Sequence, residues 1–182
     1  MPTHIALLRG INLASRNRVP MVELREHLTA LGYGDVRTLL QSGNVVLDAD
    51  TSPERLAEDL EREIVAQFEV KTQVVVRTRE QLAAVVALDP LREVVEQDKL
   101  YQVSFLSDEP SPEAIEKLEA ADLAPECFVH VGREIYAWHP EGIQRSPLAK
   151  LLSDRRLGVV ATARNWNTTV KLLALADEHE GG

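Results

Sequence analysis

The chain predicts an α+β fold built as two tandem ferredoxin-like (βαββαβ) plaits, antiparallel sheets with helices on one face, and an extra C-terminal helix. Three observations predict it. Short apolar runs of strand length alternate with longer segments whose apolar residues recur every third or fourth position. The signals fall in the order β-α-β-β-α-β, and that order occurs twice. The length of 182 residues accommodates two such units, divided at residues 1–90 and 91–182, each near the lower size at which a chain buries its own core.

The elements follow in sequence. Thr3 to Leu8 is almost wholly apolar and too short for a helix, as a central strand should be. After a polar, basic loop, Pro20 suits a first helical turn, and Met21, Leu24, Leu28 and Leu31 form one buried stripe. Val36–Leu40 and Val45–Leu47 flank Gln41-Ser42-Gly43-Asn44, the spacing of a hairpin with a Gly-containing turn. Thr51-Ser52-Pro53-Glu54 gives a cap, a first-turn proline and a third-position carboxylate, the start of a helix with Leu56, Leu60, Ile64 and Phe68 inward. Thr72–Val76 is a β-branched strand, and a short helix capped by Thr78 against Gln81 closes the first plait. The acidic stretch to Asp98 connects the halves, with Leu91, Val94 and Val95 marking it as packed.

In the second plait Leu100–Leu106 is a strand and Ser111-Pro112-Glu113 opens a helix. Phe128–Val131 pairs with Ile135–Trp138 across Gly132-Arg133. Ser146-Pro147 starts a helix through Leu152, Gly158–Ala161 is a strand, and the final helix begins near Asn165 with Trp166 as a core anchor.

Composition excludes several classes. One cysteine, Cys127, removes internal disulfides and cysteine-rich zinc patterns, and five scattered histidines show no metal-ligand spacing. No metal and no cofactor are expected. No apolar run approaches the roughly 20 residues that span a bilayer, and the start lacks a basic segment followed by an apolar one, so the expected location is cytoplasmic. The net charge of −9 argues against a protein that coats nucleic acid. Charge is unevenly placed, however. Residues 1–22 hold Arg9, Arg16 and Arg18 with no acid, and 145–171 hold six bases against Asp154 alone.

In a plait with strand order 4-1-3-2, the carboxyl end of the first strand lies beside the amino end of the third. Arg9, Gly10, Asn12 and Arg16 should therefore meet Gln41, Ser42, Gly43 and Asn44 at one edge. A guanidinium, amides and glycines that let backbone N–H groups approach a ligand suit a phosphate or carboxylate. Arg164 and Asn165, at the start of the last helix, could join them across a cleft between the plaits. Each residue also has a structural reading: Gly-Asn is hairpin chemistry, and Asn12 and Asn165 are natural caps.

The blocks Leu7-Leu8-Arg9-Gly10-Ile11-Asn12, Val19-Pro20-Met21, Leu31-Gly32-Tyr33, Val36-Arg37-Thr38, Gln41-Ser42-Gly43-Asn44-Val45 and Arg164-Asn165-Trp166-Asn167-Thr168 together resemble the bacterial family catalogued as domain of unknown function 1697. The resemblance implies two tandem plaits and no particular activity. The residues themselves point first to a binder of an anionic small molecule or nucleotide. The alternatives are an enzyme acting on a phosphate-bearing substrate by positioning and electrostatics, a nucleic-acid-binding module, and a self-associating structural module, including a homodimer. The first and third strands carry no aromatic residue on which a base could stack, which argues against RNA recognition by a plait.

Overall fold

The computed structural model describes residues 1–180. The chain divides into two compact units: Met1–Ala84 together with the segment that begins at Lys171, and Val85–Val170. A division at 90 gives all of the last helix to the second half, whereas by contact its later turns group with the first unit.

The first unit contains β1 (Thr3–Leu8), α1 (Met21–Ala30), β2 (Gly34–Leu39), β3 (Asn44–Asp48), α2 (Pro53–Phe68) and β4 (Val74–Thr78), and α3 (Arg79–Leu88) leads out of it. Its strands pair antiparallel in the order β2-β3-β1-β4. Register sorts the side chains by parity: Ala6 stands opposite Val45 and Val76, and Leu8 opposite Val74. These residues join Leu24 and Leu28 of α1 and Leu56, Leu60 and Ile64 of α2 in one core cluster. One sheet face is thus sealed by two helices.

Local chemistry sets the helix limits. The Ser52 hydroxyl accepts from Arg55 N at 3.2 Å, with Pro53 in the first turn, and α2 stops where Glu69 turns left-handed. Thr78 and Gln81 exchange hydrogen bonds of 3.1 and 2.9 Å, a reciprocal cap for α3. β4 begins two residues later than the apolar pattern suggests, leaving Lys71–Gln73 as a connecting segment. Arg37 donates to Glu178 at 3.0 Å and Arg79 to Asp177 at 2.7 Å. These two ion pairs hold the C-terminal segment to β2 and to the start of α3.

The second unit contains β5 (Tyr101–Leu106), α4 (Pro112–Ala120), β6 (Cys127–Val131), β7 (Glu134–Trp138), α5 (Pro147–Leu151), α6 (Asp154–Leu157) and β8 (Ala161–Asn165), and α7 (Trp166–Glu180) leads out of it. The order β6-β7-β5-β8 repeats that of the first sheet. The fold is therefore two ferredoxin-like plaits. The connection between them is packed: Leu91 is buried, Arg92 bonds both Asp89 and Asp98 at 2.8 Å, and its guanidinium lies 5.7 Å from the ring centroids of Tyr101 and Trp166. Trp166 stacks on Tyr101 at 4.8 Å and is a core anchor, as its helical spacing suggests.

One expectation is met with an addition here and one is corrected. The helix from Ser146 runs to Leu151 with Leu152 as its C-cap, as expected, and a second short turn that the pattern does not show follows, capped by Ser153 and ended by Gly158 at φ 74°. The last strand is Ala161–Asn165, three residues beyond the expected Gly158–Ala161. Val159 and Val160 are the more apolar pair, but Val160 is held by reciprocal bonds with Ser107 just before the paired register starts at Leu106 opposite Ala161.

Candidate functional site

At the end of the first sheet where β1 finishes, Leu7 pairs with Asn44 and Leu8 N donates to Gly43 O at 2.9 Å. The two opening motifs do meet at one edge. Most of their polar atoms, however, are committed to the fold. Asn12 donates from Nδ2 to Val19 O and Gln41 O at 2.9 and 2.6 Å, and its Oδ1 accepts from Val19 N at 2.8 Å. It clamps the loop between β1 and α1. Asn44 is fully buried and donates to Leu39 O and the Ser42 hydroxyl at 2.8 and 3.2 Å, closing the hairpin. A Cβ on Gly43, at φ 95°, would sit 2.8 Å from both Ile11 Cδ1 and Leu8 Cβ, so only glycine fits.

The loop is bent by left-handed residues at Gly10, Asn12, Ala14 and Asn17, and the Asn17 amide bonds Gly10 O at 3.0 Å. Arg16 and Gln41 are exposed on it and beside it. Arg164 and Asn165 belong to the second unit. Neither lies at an open helix start: Arg164 is within β8, 8% exposed, donating to the Thr162 hydroxyl at 2.7 Å and Ala163 O at 2.9 Å. Burial pushes its guanidinium down to about 10. Asn165 Oδ1 caps α7 by accepting from Thr168 N at 2.8 Å.

What the edge leaves open is a groove of about 1050 Å3 beside Arg9 and Gly10. The loop supplies Leu13 and Asn17 on one side. The other side is a stripe of α2, Glu58, Glu61, Arg62 and Val65 at helical spacing, with Ala66 next to it, and Lys71–Gln73 closes the end. Arg9 Nη1 donates to Gln73 Oε1 at 2.9 Å and the Thr72 hydroxyl to Arg9 O at 2.6 Å, fixing the guanidinium on that wall. The acids have internal duties. Glu61 accepts from Val74 N at 2.9 Å, and Glu58 stands 3.8 Å from Arg55. Arg62 is paired with Asp59. Lys71 is exposed and makes no ion pair among the described residues. Leu13 and Val65 are 59% and 41% exposed, so the groove offers apolar surface next to a cation.

Residues 1–136 match the model of the family described as protein of unknown function (DUF1697). The chain belongs to that family. Its fold is similar to that of the conserved bacterial protein SP0830 from Streptococcus pneumoniae, with a TM-score of 0.74 at 24% identity over 96% of this chain and 98% of the other. At that identity the likeness shows the fold alone. No curated protein matches the chain.

The second unit holds a cluster that the sequence reading passes over. Glu126, His139 and Ser146 are buried together: His139 Nδ1 lies 2.8 Å from both Glu126 Oε2 and Ser146 Oγ, and the serine hydroxyl donates to the same carboxylate oxygen. Leu148 N donates to Glu126 Oε1 at 3.1 Å, and Ser146 Oγ accepts from Ala149 N at 2.8 Å. Burial alone would raise the Glu126 pKa, but the bonds from Ser146, His139 and Leu148 outweigh it and hold the carboxyl below its usual range.

The residue types are those of a hydrolytic triad and the geometry is not. A general base must face the serine with one nitrogen and the carboxylate with the other. Here both partners sit at Nδ1, and buried Nε2 has no hydrogen-bond partner. The cluster ties the hairpin ends to the start of α5.

Among the described residues no helix is long and apolar enough to cross a membrane, and no group of three or more His, Cys, Asp or Glu could hold a metal ion.

Proposed function

We propose that the protein binds a small anionic molecule, a nucleotide being one form of it, in the groove between the loop after β1 and the outer stripe of α2. The observation that carries this reading is Lys71, exposed and unpaired at the groove's end, with the Arg9 guanidinium held on the same wall by Gln73. Of the neighbouring acids, Glu61 is turned to Val74 N and Glu58 toward Arg55, while Lys71 makes no ion pair among the described residues. An anion placed there meets a compact ammonium and a planar fork of donors.

The test is a thermal-shift screen of nucleotides, phosphosugars and organic acids on the wild-type chain and on a Lys71→Glu, Arg9→Ala double variant. Both positions are exposed, so the variant should keep the wild-type circular dichroism spectrum. A ligand at a hundred times its Kd stabilises by about 2.7 kcal/mol. We expect such a shift in wild type and none in the variant. An equal shift in both, or none in either with any class, rejects the reading.

A further inference from the structure

Resting on that reading, we infer that the ligand is an amphiphilic anion: a single carboxylate or phosphate head on an apolar body. The head goes to Lys71 and Arg9. The body lies along Leu13, Val65 and Ala66.

The argument is one of placement and exposure. On α2 the positions that face inward are Leu56, Leu60 and Ile64, all buried. Val65 and Ala66 lie off that stripe, where a surface helix normally presents polar side chains. Across the groove the loop presents Leu13, 59% exposed, from a backbone turned by left-handed Asn12 and Ala14. The Asn12 clamp and the Leu13–Arg16 bridge keep that loop in one shape. Two separate elements therefore place apolar side chains on the same concavity, and the aliphatic stems of its polar lining residues extend that apolar surface. Lys71 stands at one end of this surface, three residues past the end of α2. Next to Val65 the Glu61 and Arg62 side chains are engaged with Val74 N and Asp59, so the stretch along Leu13, Val65 and Ala66 offers few groups to a nucleotide's base and sugar, and the other polar lining, Asn17, Glu58, Thr72 and Gln73, lies around it. A plain anion would leave Leu13 and Val65 uncovered. An amphiphile satisfies both ends.

The test is calorimetric titration with straight-chain carboxylates and alkyl phosphates of four to eight carbons, with inorganic phosphate and AMP alongside, on wild type, Lys71→Ala and Val65→Asp. Each added methylene should tighten binding about fourfold, the equivalent of 0.8 kcal/mol per buried CH2. Val65→Asp should flatten that chain-length series. Lys71→Ala should weaken every member by the same factor and leave the slope. If inorganic phosphate or AMP binds in a Lys71-dependent way and chain length has no effect, the amphiphile inference fails while anion binding stands. If the slope is present but unchanged in Val65→Asp, the body lies elsewhere and the inference fails. If no anion binds at millimolar concentration, both fail.

Discussion

The two plaits share a strand order and differ in where they put their irregular chain. In the first, the loop after the opening strand runs from Arg9 to Pro20, and the connection from β3 to α2 is short, Ala49 to Ser52. In the second the lengths are exchanged: Ser107 to Ser111 joins β5 to α4, and His139 to Ser146 joins β7 to α5. The opening strand finishes at one pole of its sheet and the third strand finishes at the other. The first unit therefore carries its elaborated loop, and an open groove, at the pole where β1 ends. The second carries its polar cluster at the pole where β5 begins, since His139 N bonds Leu100 O at 3.1 Å, and that cluster is closed around its own side chains. The same topology supports an open groove in one unit and an internal staple in the other. Loop length at a given pole, more than strand order, decides which.

That contrast can be broken at its buried end first. Glu126→Ala leaves the Ser146 hydroxyl, the His139 N–H and Leu148 N without their shared acceptor, and should destabilise the protein by about 3–5 kcal/mol in urea titration. Anion binding at the groove of the remaining folded protein should be unchanged; a large loss of binding would show that the units do not act separately. On the open side, Gly43→Ala forces a left-handed alanine against Ile11 and Leu8 and should cost about 2–3 kcal/mol.

The cluster also predicts an acid response. A carboxyl held low contributes stability that is present above its unfolded value of about 4.3 and is lost as pH falls through the folded value. Between pH 5 and 3, Tm should therefore fall more steeply for wild type than for Glu126→Gln. Parallel slopes would remove Glu126 from the acid response.

Much of this architecture is legible in the residues and some is not, for definable reasons. Caps written in adjacent residues, such as Ser52-Pro53 and Thr78 with Gln81, are local, and their helices start where those signals lie. β8 is displaced because Thr162, Ala163 and Arg164 carry less apolar signal than Val159-Val160, and register with β5, a long-range property, decides the strand. The edge of Arg9 and Asn44 follows from topology alone. That Asn12 and Asn44 serve the backbone depends on which carbonyls the turns bring within reach.

The groove is illegible for a further reason: Glu58, Glu61, Arg62 and Val65 read as an ordinary solvated helix face until the loop is placed opposite. The Glu126–His139 contact does have a signal. Counting outward from the Gly132-Arg133 turn, Cys127 pairs with Trp138, and the next rung is Glu126 and His139.

The first unit is assembled from two separated stretches of chain, and all of Val85–Val170 is made between them. On a ribosome adding about 5–20 residues per second, the nascent first plait waits several seconds before Asp177 and Glu178 exist to meet Arg79 and Arg37. During that interval Arg37 and Arg79 lack these two carboxylates. The second unit, a single stretch from Val85 to Val170, has no such delay. The order of synthesis thus runs opposite to the order of completion: the unit that starts first is finished last.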